Sequence, residues 1–153
     1  MVIGAIIQHG KGYKFASTAS VNGINKTGIE ITLQGLDDKF YTMKTKSDGL
    51  YYSTNIPEGV YKIIKFYLKN TSGGSWASIT YTISADTELK VEITAGKVNN
   101  LGTINWECEK NVKNTISFNR EYEQVKEIFQ ENNKSSNWNE KEWIDIKTIK
   151  KNL

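Results

Sequence analysis

One cysteine, one proline and one histidine are all that the 153 residues contain of those three types, and each scarcity closes off something. Cys108 has no partner for an internal disulfide, so no bridge framework can hold this fold together. A lone thiol in this setting is expected at a half-buried strand end rather than in a reactive site. His9 and Cys108 stand far apart in the chain and make no zinc pattern. Asp37-Asp38 and Ser47-Asp48 are acidic turns without the ligand spacing of a calcium loop. There is no G-x-S-x-G, no phosphate-binding loop and no dinucleotide fingerprint. No cofactor is therefore expected, and the chain is expected not to be an enzyme. Glu58, Asp86, Glu88 and Glu92 are available carboxylates, but nothing pairs them at a catalytic spacing.

Long apolar runs are also missing. Met1–Ile7 is apolar, yet too short for a membrane span or a signal-peptide core, and no basic segment precedes it. The expectation is either a cytosolic chain or the mature form of an exported one, without a transmembrane segment. Charge of one sign is lacking as well: 20 Lys and Arg face 17 Asp and Glu, a net +3. Residues 109–153 carry nine of the basic and eight of the acidic residues, so no basic face is declared and no nucleic-acid partner is expected.

What is present is alternation. Between residues 11 and 107 apolar positions recur with period two, punctuated by Gly, Asn, Asp and Ser. Ile29, Ile31 and Leu33 alternate with Glu30, Thr32 and Gln34, and Phe40 to Lys46 follows across the Gly35–Lys39 turn as a hairpin partner. Ser47-Asp48-Gly49 is a tight turn, Leu50 to Thr54 a short strand, and Asn55 to Gly59 the next turn, which holds the only proline. Val60 to Leu68 has apolar residues at both parities and reads as a central strand covered on both faces. Trp76–Ile83, Leu89–Ile93 and Leu101–Glu107 supply further strands, and Lys11–Val21 one more. Seven or eight antiparallel strands without intervening helices indicate an all-β sandwich over residues 1–108.

The period changes in residues 109–153. Phe118, Tyr122, Val125, Ile128 and Phe129 form one stripe of an amphipathic helix that Ser117 or Asn119 can cap. Asn139 reads as the N-cap of a second helix, with Glu142 three residues on and Trp138 and Trp143 in the hydrophobic-staple positions. Lys147, Lys150 and Lys151 would then complement the dipole at its end. Leaving five large aromatics in water would forgo about 1.5–3 kcal/mol for each. This two-helix tail is therefore expected to pack on one sheet.

Asp48-Gly49-Leu50-Tyr51 through Asn55-Ile56-Pro57-Glu58-Gly59-Val60-Tyr61 resembles D-G-x-Y-x-F-x-N-[IL]-P-x-G-x-Y, a pattern of the transthyretin-like (prealbumin-like) sandwich superfamily. That superfamily includes carboxypeptidase regulatory-like domains and the Cna-B domains of bacterial surface proteins. Gly28 to Leu33 looks like the family's opening strand, and Ala95 to Ile104 like the closing strand of such domains in envelope lipoproteins. Ser53 departs from the usual Phe. The two turns bracket one short strand and are expected to deliver Tyr51 and Tyr61 to neighbouring strands at the core edge.

The resemblance implies a binding or structural module of a bacterial envelope or secreted assembly, with a protein or glycan partner and a possible homo-oligomer. Its known chemistries fit poorly. The hydroxyisourate hydrolases need several histidines and a terminal Tyr-Arg-Gly-Ser, where this chain has His9 and ends Lys-Asn-Leu. The Cna-B isopeptide bond needs a buried acid four residues after the second motif Tyr, and Lys65 stands there. The candidate binding residues are Trp76, Trp138 and Trp143. Trp76, beside the Thr71–Ser75 loop, either offers a stacking platform or is covered by the tail. The alternative makes the tail an adaptor or oligomerisation element acting through its aromatics.

Overall fold

A computed structural model describes residues 1–11, 29–46, 48–70, 77–82, 89–109, 115–118, 120–147 and 149–150. Eleven strands are present among them: β1 Val2–Lys11, β2 Ile29–Gly35, β3 Phe40–Lys44, β4 Leu50–Ser53, β5 Gly59–Asn70, β6 Ala77–Thr82, β7 Leu89–Ile93, β8 Val98–Glu109, β9 Thr115–Phe118, β10 Trp143–Asp145 and β11 Ile149–Lys150. One helix, α1 Tyr122–Asn132, and a single 3-10 turn, Asn137–Glu140, lie between β9 and β10. The first sheet runs β10-β8-β1-β4 with β9 also on β8; the second runs β11-β7-β5-β2-β3 with β6 also on β5.

The sheets face each other across one core. Val2, Tyr51, Leu101 and Ile104 from the first meet Ile31, Leu33, Met43, Tyr61, Ile63, Val91 and Ile93 from the second. A second apolar layer covers the outer side of the first sheet. There Ile3, Ala5, Leu50 and Val98 pack under Val125 and Phe129 of α1. The apolar run at the chain start is thereby explained: β1 is central, Val2 faces the other sheet and Ile3 faces the helix.

Local turn chemistry is as the sequence requires. Gly35–Lys39 closes β2 on β3 through Asp38 N–H to Gly35 O at 3.1 Å and Gly35 N–H to Lys39 O at 2.9 Å, with Asp38 at φ 59°. This is a three-residue loop ending in a left-handed residue. At the Asp-Gly turn Leu50 N–H donates to Asp48 Oδ1 at 3.0 Å while Gly49 adopts φ 82°. At the Pro-x-Gly turn the Tyr61 hydroxyl donates to Pro57 O at 2.7 Å. Tyr51 and Tyr61 reach the same core from opposite sheets, on β4 and β5, rather than from neighbouring strands.

The pairing is not wholly antiparallel. β1 and β10 both run parallel to β8, on its two sides. β5 is central, between β2 and the pair β6 and β7. Its mixed parity has a partly different origin from full burial on both faces. Tyr61 and Ile63 are buried, but Thr32 pairs with Lys65 and Leu33 with Ile63, so Ile64 is an extra residue in the ladder. This bulge sets Lys65 across from Thr32, on the outer side of the sheet, although simple alternation would put it on Tyr61's side.

Among its described residues the segment expected to hold two helices holds one, α1, and a 3-10 turn. Phe118 and Ser117 belong to β9, and α1 begins after Glu121, whose side chain makes no capping bond. Asn139 does not cap a second helix. Its Nδ2 donates back to Asn133 O at 2.8 Å and Lys134 O at 3.4 Å, so its side chain closes the preceding chain instead of receiving the N–H groups ahead. Ser136 Oγ accepts from Trp138 N–H at 3.3 Å and starts only one 3-10 turn. Lys141 is already extended, and the β-branched run that follows pairs as β10 and β11. Those two strands join opposite sheets, with Ile146 buried between them. β8 itself crosses residue 108, the boundary expected between sandwich and tail.

Candidate functional site

The structure brings Trp138 and Trp143 together. Ser136 positions the 3-10 turn that carries Trp138, and pairing of β10 with β8 positions Trp143. The Trp143 indole Nε1–H donates to Trp138 O at 3.3 Å. Its ring lies 5.8 Å from that of Phe129, which in turn meets Tyr52 edge-on at 5.5 Å. Phe129 is only 2% exposed and finishes the layer under α1. Tyr52, Trp138 and Trp143 are half-buried around it and show their remaining surface to solvent.

Two ammonium groups border this cluster. Lys46 Nζ sits 3.6 Å above the Tyr52 ring, and Lys126 Nζ lies 5.8 Å from the Trp143 ring. The outcome is a rimmed aromatic strip contributed by β4, α1, the 3-10 turn and β10. Such a strip can stack on a planar or sugar face and can hydrogen-bond through lysines at its edge. Tyr52, Lys46 and Lys126 are not legible in the sequence, where the turn pattern points to Tyr51 at the core edge and nothing marks the lysines. Trp76 and its loop lie outside the described residues.

A pair of asparagines holds the strip's foundations. Asn99 Oδ1 accepts from Thr94 N–H at 2.8 Å, and its Nδ2 donates to Thr94 O at 2.9 Å and Lys97 O at 3.3 Å. Asn100 Nδ2 donates to Tyr122 O at 3.0 Å, and its Oδ1 accepts from Gly102 N–H at 2.9 Å. The first fixes the β7–β8 turn and the second ties the start of α1 to β8. An ion pair of Lys97 with Glu142 at 2.9 Å and a bond from Val98 N–H to Glu142 O at 2.9 Å anchor the chain entering β10.

At the start of α1 an open depression is lined by Arg120, Glu121, Tyr122, Glu123, Gln124 and Asp145. Burial raises the Tyr122 phenol above its ordinary range, Arg120 works the other way and Asp145 adds to the rise. The Tyr122 hydroxyl is already committed to Ile146 O at 2.8 Å. Among the described residues no three His, Cys, Asp or Glu side chains converge to hold a metal ion. No described helix is long and apolar enough to cross a membrane.

Fold and site define a two-sheet β-sandwich with one helix over its first sheet and an aromatic strip at that helix's edge. Comparison with protein-family models, with curated proteins and with solved structures finds no match for the chain.

Proposed function

We propose that this chain is a non-catalytic binding or structural module of the transthyretin-like kind, acting in a bacterial envelope or secreted assembly through contact with protein or carbohydrate. The observation that carries the reading is the half-buried strip of Tyr52, Trp138 and Trp143 with Lys46 and Lys126 beside it. Its family assignment is supported by the paired turns, Asp48-Gly49 and Pro57-Glu58-Gly59, with Tyr51 and Tyr61 meeting in one core. An adaptor role for α1 itself gains less support, because Val125 and Phe129 are spent on the chain's own first sheet.

Tryptophan fluorescence tests the reading. Titration with a panel of glycans and with solubilised envelope fractions is expected to give a saturable change in the intact chain. Trp143→Ala should abolish it while far-ultraviolet circular dichroism stays that of a folded β protein. A flat response to every glycan and every fraction overturns the proposal, as does a response that Trp143→Ala leaves unaltered.

A further inference from the structure

We propose that the edge of β3 that no described strand covers is a self-association surface, where two copies of this chain pair antiparallel about a two-fold axis through Thr42. The surface is separate from the aromatic strip. Among the described residues β3 ends the second sheet and pairs with β2 alone. Its register, Ile31 with Met43 and Leu33 with Tyr41, continues the hydrogen-bonded closure at Gly35 and Lys39. In an antiparallel ladder hydrogen-bonded and non-hydrogen-bonded pairs alternate. Phe40, Thr42 and Lys44 are therefore the residues whose backbone N–H and C=O groups point away from β2. The Thr32 and Thr42 hydroxyls, 3.2 Å apart, mark the close side-chain approach of a non-hydrogen-bonded pair. All three residues are exposed.

The occupant follows from the sequence of that edge. A two-fold axis at Thr42 sets Thr42 against Thr42 of the second copy, Phe40 against Lys44 of the second copy, and Tyr41 against Met43 of the second copy. Thr42 against Thr42 is a favourable cross-strand pair, the exposed Phe40 ring gains the Lys44 side chain of the second copy, and no like charges fall opposite one another. The two large apolar side chains most exposed among the described residues also lie along this edge or its hairpin: Phe40 at 62% and Leu36 at 76%. Lysines on an edge ordinarily discourage pairing. Here Lys44 meets an aromatic ring rather than another lysine, which turns the same residue from a barrier into a contact. An isologous contact of this kind closes at two copies, since each uses its one β3 edge that no described strand covers.

Sedimentation analysis of the full chain tests the pairing, at about 100 µM, where a micromolar Kd leaves most of the protein associated. A mass twice the 17.4 kDa of one chain is expected. Thr42→Pro removes an N–H that points outward and leaves the β2 ladder whole, so it should give a folded monomer. Thr42→Lys and Thr42→Glu each place like charges on the axis and should weaken association on the order of tenfold or more. Mixing those two variants should restore a heterodimer. A monomeric intact chain, a dimer that Thr42→Pro leaves intact, or a Lys and Glu mixture that stays monomeric overturns the proposal.

Discussion

Tyr51 is the residue where this fold bears an avoidable cost. Its side chain is 0% exposed, and its hydroxyl has no hydrogen-bond partner among the described residues. It lies against Gly4, where an added Cβ would run into the phenol, so the glycine is there to admit the ring. Burial pushes the Tyr51 phenol far above its ordinary range. The folded state then holds its proton where the unfolded state, with a pKa of about 10, begins to release it. Stability is therefore retained below about pH 10 and falls above it, by about 1.4 kcal/mol per pH unit for that one proton. Tyr51→Phe removes both the orphaned hydroxyl and this titration. Chemical denaturation near neutral pH should show a gain of about 1 kcal/mol, and the alkaline decline should become shallower by one proton. A loss of stability in Tyr51→Phe would mean that the hydroxyl has a partner.

At the scale of elements, the asparagines decide how the strands are held. Asn99, fully buried, replaces backbone partners for both the N–H and the C=O of Thr94 and so pins the β7–β8 turn beside β1. Asn99→Ala should cost about 2 kcal/mol, since several bonds are lost but Thr94 can turn to water. Denaturant midpoints measured without change of slope would register that loss. The strands and hairpins from β2 to β8 were legible in the sequence because their alternation and turn residues are local. β1 carries no strand signal in the sequence, because burial on both faces erases alternation. The second helix was expected because Asn139, Glu142 and the flanking tryptophans satisfy a local capping pattern. What overrode it is tertiary: Asn139 bonds backward, and Val98 and Asn100 recruit the following residues into β10. Trp138 and Trp143 were legible as site candidates, but their meeting with Tyr52 and Lys46 from β4 and its turn depends on long-range packing.

For the whole molecule, the last third of the chain is structural rather than appended. It supplies β9 and β10 to the first sheet, β11 to the second and α1 to the outer layer. Removing residues 120–153 would uncover Met1, Ile3, Leu50 and Val98, all now buried, and would take Ile146 from between the sheets. Four such side chains returned to water forgo about 1.5–3 kcal/mol each. That sum is comparable with the whole stability of a domain, about 5–15 kcal/mol. The truncation also strips the partners of Asn100 and Thr103 at the start of α1. Residues 1–119 alone should therefore aggregate or give an unfolded spectrum, with strong binding of a hydrophobic dye. A milder change separates packing from chain length: Val125→Asp keeps every residue but sets a carboxylate against Ile3 and Val98 in the layer under α1. It should lower the unfolding midpoint sharply or prevent folding. A soluble 1–119 fragment that unfolds cooperatively, together with a Val125→Asp chain of undiminished stability, would show instead that the two sheets stand without their outer layer.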